Sequence, residues 1–397
     1  MKYLFVLLLT IVSIKAEAQS SALSIADSLT AVGNYSKAIE QFQSIKNPTA
    51  QIDLKVARAY KAIGNGNLAL KAYKTSLRKD PNQVIAATEF GRLHIAQRNF
   101  KQGDSIFKSL STLYPDNPEF HYQRGRALRN LGPQADINNG DTLMVAAHSA
   151  FAKAVKLDSS HQKSMNQLGL YYLKKQQYDI VERIGKKALE SNPNGIEMTN
   201  LMALNYYNKG WTSEAIEWLE KLISLGQSSA FIHKRLGRSY AKQGDYEAAI
   251  EQYAIVLEEN DKDPSVHLEL ARLYQRSHEF EKGIRHAEIA IFLNTQPLDE
   301  EYYTLATVLK LDGQFEAAIE NYQNTLKENP EHIEAQYGIP VAADNYYKNK
   351  REVLLLYERF VKKYANASDY KTKYFVKLAQ QRIDMLTQEV FMAKDKG

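Results

Sequence analysis

Residues 229–264 read SAFIHKRLGRSYAKQGDYEAAIEQYAIVLEENDKDP, and this stretch decides the fold. It holds two runs of apolar residues at helical spacing, which Gly244 separates. Pro264 ends the second run, because proline cannot continue a helix. The small residues Gly237 and Ala249 stand where two helix backbones would approach each other. The stretch therefore predicts a pair of closely crossing helices.

The same spacing recurs about every 34 residues along most of the chain. Each copy carries one small residue in its first run and another in its second run. The first-run small residues include Ala57, Gly91, Gly125, Gly169, Ala203, Gly237, Ala271 and Ala306; the second-run ones include Ala38, Ala69, Gly103, Ala147, Ala215, Ala249, Gly283 and Ala318. A helix pair cannot bury both of its faces alone, so we expect the copies to stack into one continuous core.

The pattern resembles the tetratricopeptide repeat, which has a Leu-Gly pair, a following tyrosine, a turn glycine, an alanine, an aromatic residue and a final proline. These correspond here to Leu236-Gly237, Tyr240, Gly244, Ala249, Tyr253 and Pro264. The resemblance covers about residues 20–363 and implies an all-α fold. That fold would be a right-handed superhelical solenoid of about ten helix-turn-helix repeats over residues 19–367, followed by a capping helix and tail over 368–397.

The first eighteen residues have the features of a signal peptide. Met1-Lys2 gives a positive start, residues 3–14 form a nearly unbroken apolar run, and Ala16-Glu17-Ala18 is a small-x-small cleavage pattern. We expect cleavage after Ala18 and an exported protein, periplasmic or associated with the cell envelope. An uncleaved anchor or a buried first helix is the alternative.

Composition narrows the function classes. The chain contains no cysteine, which excludes disulfides, thiol catalysis and thiolate metal sites. Its net charge of +5 comes from interspersed signs, which argues against a nucleic-acid partner. The copies of Ser-x-x-Lys lack a companion Lys-Thr-Gly motif, and His278-Glu279 lacks the second histidine of a zinc-protease motif. We therefore expect no enzyme activity, cofactor or metal.

One interruption breaks the repeat spacing. Residues 131–141 read LGPQADINNGD, which predicts a loop insertion that delays the second helix of that repeat until near Met144. A calcium loop is the alternative, although the glycine comes one residue early and the twelfth position lacks glutamate. Further on, Pro340 falls within a predicted first helix and should kink or break it.

The resemblance also implies where a ligand would lie, on first-helix residues that line a concave groove. The candidate partner-binding residues in that register are Arg58, Lys61, Arg92, Tyr122, Arg126, Arg129, Asn166, Asn200, Tyr207, Lys234, Arg238, Lys242, Arg272 and Arg276. Arginine donates a fork of hydrogen bonds that suits carboxylates, so an acidic partner would fit. Alternatively, these charges only solvate the groove and pair with neighbouring glutamates.

Three functions remain open from the sequence. The favoured one is a non-enzymatic scaffold that binds a partner peptide or protein in the concave, partly basic groove. The second is a structural subunit of a cell-envelope assembly, such as a secretion or motility machine. The third is an enzyme or glycan-binding module, for which the sequence offers no cluster of convergent acids.

Overall fold

The computed structural model describes residues 21–134, 137–295 and 297–394, so the expected signal segment, residues 1–18, lies outside the described residues. Ten helix pairs follow one another through the described ranges. They are α1 (21–31) with α2 (Tyr35–Ser44), α3 (Ala50–Ala62) with α4 (Gly66–Lys79), α5 (Val84–Ala96) with α6 (Phe100–Leu113), α7 (Pro118–Leu131) with α8 (Ile137–Leu157), α9 (Gln162–Lys174) with α10 (Tyr178–Ser191), α11 (Ile196–Lys209) with α12 (Thr212–Ser224), α13 (Ala230–Gln243) with α14 (Tyr246–Glu259), α15 (Pro264–Arg276) with α16 (Phe280–Leu293), α17 (Asp299–Leu311) with α18 (Phe315–Glu328), and α19 (Ile333–Tyr346) with α20 (Lys350–Lys363). A single helix, α21 (Tyr370–Lys394), comes last.

The all-α repeat fold is thus confirmed. The chain divides into two compact units, Met1–Leu201 and Met202–Gly397, and the division falls within α11. Each unit has its own buried clusters, which combine residues of successive helices. In each unit the second helix of a pair also contacts the first helix of the next pair, as α6 does with α7 and α18 with α19, which stacking of repeats requires.

The small first-helix residues let aromatic rings approach the backbone. A Cβ atom on Gly91 would lie 2.7 Å from the ring of Phe107, and one on Gly125 would lie 2.7 Å from the ring of Phe151. Real Cβ atoms do not come so close to a neighbour, so each glycine makes room for a buried ring sixteen or more residues later. The predicted packing role of this row is confirmed.

The turn between the two helices of a pair repeats one strained backbone position. Gly64 and Gly244 have positive φ there, at 79° and 90°. The corresponding residues in other repeats are Arg98, Gln176 and His278, with φ of 62°, 57° and 59°. Residues other than glycine rarely adopt this left-handed conformation. His278 therefore occupies the same turn position as Gly64 and Gly244 do in their repeats.

The prediction of a loop at residues 131–141 was wrong for most of these residues. After α7 a single 3₁₀ turn spans Gly132–Gln134, and α8 already begins at Ile137. Gly140, which suggested a loop, allows close packing against Gly132. A Cβ atom on Gly140 would lie 2.9 Å from the carbonyl oxygen of Gly132. Residues 137–143 thus extend the second helix of this repeat by about two turns relative to the predicted start near Met144.

The C-terminal elements also differ from expectation in detail. Helix α19 is unbroken and contains Pro340 in its interior. The expected capping helix begins at Tyr370 and is held by Arg382, whose Nε and Nη2 atoms donate to the carboxylate of Asp344 at 2.6 and 3.1 Å. Burial alone would raise the pKa of Asp344, but hydrogen bonds from Arg382 and Lys350 outweigh it and lower that pKa.

Candidate interaction surface

Four of the predicted groove arginines form what we call the arginine–glutamate ladder. Each one contacts a glutamate on the first helix of the following repeat: Arg58–Glu89 and Arg92–Glu119 in the first unit, and Arg238–Glu269 and Arg272–Glu300 in the second. The Arg58 pair is forked, with Nη2 at 2.7 Å from Oε1 and Nε at 2.9 Å from Oε2 of Glu89. These arginines therefore already have carboxylate partners within the chain.

The ladder glutamates are stabilised as anions. Burial alone would raise the pKa of Glu89, but hydrogen bonds from Arg58 and the Tyr73 hydroxyl outweigh it and lower that pKa. Burial would likewise raise the pKa of Glu119, yet hydrogen bonds from His161, Gln123 and Arg92 lower it to about 2. Both carboxylates remain charged at neutral pH, so the positive charge of their arginines is locally neutralised.

Arg126 and Arg129 differ from the ladder arginines, because their partners are neutral amides. Nη1 of Arg126 donates to the side-chain oxygen of Gln123 at 2.9 Å, and Nη1 of Arg129 donates to that of Gln167. Lys174, at the end of α9, makes no ion pair with any described residue. We call Arg126, Arg129 and Lys174 the cationic patch, since no described carboxylate lies within ion-pairing distance of these three charges.

A cavity of about 180 Å³ adjoins the cationic patch, between α7, α8 and α9. Arg129 and Lys174 line it together with apolar and aromatic side chains, including Met144, Leu170 and Tyr171. The ring of Tyr171 lies 4.3 Å from that of His148, and burial lowers the pKa of His148, so its imidazole is neutral at pH 7. A cavity of about 150 Å³ accommodates benzene, so this one has room for a single side chain.

In the second unit, the cations of α13 stack on aromatic rings or pair with acids. The guanidinium of Arg235 lies 3.2 Å from the ring centroid of Phe231 and 5.3 Å from that of Tyr207. Lys242 lies 5.8 Å from the same Tyr207 ring, and Lys234 pairs with Asp263. Burial lowers the pKa of Arg235, whose Nε has no hydrogen-bond partner among the described residues.

The described residues contain no group of three or more metal-ligating side chains. Within the same ranges, no helix has both the length and the apolar character needed to cross a membrane.

Two models of one repeat family match two segments near the middle of the chain. Both are described as tetratricopeptide repeat, and they cover residues 196–226 and 234–291. The chain carries tetratricopeptide repeats. Repeats of this family generally form non-enzymatic scaffolds for protein–protein interaction.

The similar proteins carry the same repeat. Human tetratricopeptide repeat protein 13 is 27% identical over 197 residues, which are 47% of this chain and 21% of that protein. TPR repeat-containing protein MJ1428 of Methanocaldococcus jannaschii is 27% identical over 207 residues, or 49% of this chain and 34% of that protein. This chain thus spans about a fifth and a third of these relatives. Among solved structures, YrrB, described as a TPR protein with an unusual peptide-binding site, is 15% identical, with a TM-score of 0.44 over 47% of this chain and 96% of its own.

One predicted binding residue was placed wrongly. Tyr122 is only 8% exposed, and its ring packs 6.0 Å from Phe151 and 5.2 Å from His161. Gly125, one turn later on the same helix, lets Phe151 come close enough to cover it. Tyr122 is therefore a core residue of its repeat.

The remaining predicted residues are accessible. In the first unit, Lys61 is exposed, and Asn166 and Asn200 are half-buried. In the second unit, Tyr207 is half-buried, and Arg276 is exposed with its guanidinium 5.8 Å from the ring of Tyr246.

The sequence reasoning missed Lys174, Tyr171 and Arg235. A signal existed for Lys174, which stands five residues after the small Gly169, as the predicted Lys242 stands five after Gly237. Tyr171 had no such signal, because the corresponding residues in most other repeats are buried core residues.

Proposed function

We propose that this protein is a non-enzymatic scaffold that binds an acidic segment of a partner protein at the cationic patch. The single observation that carries the proposal is the cavity beside it, where Arg129 and Lys174 meet an apolar wall without a carboxylate partner. The ladder arginines fit this role less well, because a ligand carboxylate would have to displace Glu89 or Glu119.

The surroundings of the cavity favour a mixed acidic and apolar ligand. Leu170 is 37% exposed at the cavity, and it can cover one apolar side chain of a bound segment. Acidic residues beside that side chain would reach Arg126, Arg129 and Lys174. A charge-assisted hydrogen bond contributes about 1.5–3 kcal/mol when it is made, which is enough for specificity at a small site.

The test is binding of a fluorescein-labelled peptide, Glu-Asp-Leu-Asp-Glu, measured by polarisation. We expect the variant R126A/R129A/K174A to bind at least tenfold more weakly and to lose most of the salt dependence. The matched control is R58A/E89A, which removes one ladder pair without changing the net charge and should bind like the wild type. Equal affinity of the patch variant, with its circular dichroism unchanged, would refute the proposal.

We also propose that the protein is exported and acts in the periplasm or at the cell envelope. The support is the sequence of residues 1–18, with its positive start, apolar run and cleavage pattern. N-terminal sequencing of protein recovered from the cell envelope should begin at Gln19. Recovery of chains that begin at Met1 would contradict cleavage.

A structural subunit of a cell-envelope assembly is the second candidate function. Exposed apolar side chains on α21 favour it: Tyr374 is 51%, Met385 55% and Phe391 66% exposed. A permanent subunit would bury such residues against its neighbours. Co-purification of the protein in one stable complex, and loss of that complex in the variant Y374A/M385A, would support this function. A protein that stays monomeric and binds only peptides at the cationic patch would count against it.

A further inference from the structure

One position of the repeat holds a tyrosine in five copies, and His94 occupies it in another copy. The position lies three residues after the small residue of the first helix. It holds Tyr60, Tyr172, Tyr206, Tyr240 and Tyr274 in five repeats, and leucine, as Leu128 and Leu309, in two. Helix α5 carries His94 at this place, after Gly91.

Tyr60 and Tyr240 reach the second helix of the preceding repeat, whereas Tyr274 stacks on His286 of its own repeat. The Tyr60 hydroxyl accepts a hydrogen bond from Nε2 of Gln43 at 2.8 Å, and the Tyr240 hydroxyl donates one to Glu220 at 2.5 Å. Gln43 and Glu220 both stand five residues after the small residue of their own helix, Ala38 and Ala215.

The residue that corresponds to Gln43 and Glu220 before His94 is Lys74, five residues after Ala69. No hydrogen bond joins Lys74 to His94, and the His94 ring lies edge-on to that of Phe90, with 4.5 Å between their centroids. A cavity of about 480 Å³ lies here between α4, α5 and α6. Leu70, Phe90 and Ile106 make most of its wall apolar, and the polar residues Gln102 and Ser105 of α6 also line it.

The polar groups of this cavity lack partners. Nδ1 of His94 is buried and accepts or donates no hydrogen bond among the described residues. Burial lowers the pKa of His94, so the ring is neutral at pH 7. Lys71 and Lys74 are exposed at the rim, and neither forms an ion pair with a described carboxylate. Two unpaired ammonium groups at the rim of a largely apolar cavity fit a ligand that combines an apolar body with negative charge.

We propose that this cavity receives a tyrosine side chain from an acidic segment of a partner protein. The partner's ring would lie in the cavity beside the His94 ring and against Phe90. Its hydroxyl would lie near Lys74, at the place that corresponds to the hydroxyl contacts of Tyr60 and Tyr240 in their own repeats. Carboxylates beside it would pair with Lys71 and Lys74. The protein's own repeats thus show the shape of the missing group, and the unpaired lysines determine the charge of its surroundings.

This site is separate from the cationic patch. Residues two apart on a helix point about 160° away from each other. His94 therefore lies on the opposite side of α5 from Arg92, which belongs to the arginine–glutamate ladder. The patch belongs to α7 and α9, whereas the cavity belongs to α4, α5 and α6. The inference rests on the proposed role in protein binding, but the patch variant should leave it intact.

The experiment uses a fluorescein-labelled peptide, Asp-Glu-Tyr-Glu-Asp, and the same peptide with alanine in place of tyrosine. We expect the tyrosine peptide to bind the wild type at least tenfold more tightly than the alanine peptide. K71A/K74A should lose at least tenfold in affinity, whereas K101A/K108A, a matched pair on the next second helix, should not.

The decisive variant is His94→Tyr, which fills the cavity with the residue that five other repeats carry there. We expect it to fold normally and to lose binding of the tyrosine peptide at least tenfold. Unchanged binding by H94Y or by K71A/K74A would overturn the proposal. Equal affinity of the wild type for the tyrosine and alanine peptides would also overturn it. The same holds if free 4-hydroxyphenylacetate binds as tightly as the tyrosine peptide. If only R126A/R129A/K174A weakened the peptide, the cationic patch would be the site and this inference would be wrong.

Discussion

Replacing Arg98 with glycine should stabilise the protein. Arg98 has a φ of 62° at a turn position where Gly64 and Gly244 stand in other repeats. The left-handed conformation costs an ordinary L-residue about 1–2 kcal/mol. Glycine avoids that cost but loses about 0.5–1 kcal/mol of additional backbone entropy on folding. The net gain for R98G is therefore about 0.5–1 kcal/mol.

Urea unfolding followed by circular dichroism measures this gain. For an m value of about 2–3 kcal/mol/M, the midpoint should rise by about 0.2–0.5 M. R98A is the matched control, because it removes the same side chain but keeps Cβ and hence the strain; its midpoint should stay close to the wild type. Gly64→Ala should lower the midpoint, since a Cβ atom there meets no neighbour within 4 Å and only the backbone responds. If R98G is no more stable than R98A, the turn strain inferred here does not exist.

Two further predictions concern packing and pH. Gly237→Leu should destabilise the protein by about 1–3 kcal/mol, because its Cβ alone would lie 3.1 Å from the ring of Tyr253; an unchanged urea midpoint would mean that the helix crossing is misplaced. Because the folded state lowers the pKa of Glu119 from 4.5 to about 2, the anion's stabilisation is present above pH 4.5 and is lost as the pH falls towards 2. Between pH 4.5 and 2, the melting temperature of the Glu119→Gln variant should therefore fall less than that of the wild type. Melting temperatures that fall in parallel for the two proteins would contradict this.

The sequence was sufficient for the helix pairs, because their signals are local. Small residues such as Gly91 and turn glycines such as Gly244 recur at one spacing, and each has a steric reason to be there. Glycine also led to a wrong prediction at Gly140, where it allows close packing against Gly132 and does not mark a loop. Local sequence does not distinguish these two uses, since both require only the absence of Cβ.

The candidate site was harder to predict, because its electrostatics depend on neighbours in the next repeat. Arg58 and Arg126 occupy the same position of the repeat, yet Arg58 pairs with Glu89, 31 residues later, and Arg126 finds only an amide. Repeat spacing placed both arginines in one row but did not reveal which of them keeps an unpaired charge. Tyr122 was misplaced for a similar reason, because the ring that covers it belongs to the next helix.

The most direct test of the cationic patch as a partner site is selection of a random peptide library on the immobilised protein, with sequencing of the bound peptides. Against the wild type, the enriched peptides should combine acidic residues with one apolar side chain. Against R126A/R129A/K174A the acidic peptides with an aliphatic side chain should no longer be enriched, whereas against R58A/E89A they should be. Acidic peptides with a tyrosine should stay enriched on both variants, because they would bind the cavity beside His94. Enrichment that is the same on all three proteins, or that selects no acidic residues, would contradict the proposal that this patch binds the partner.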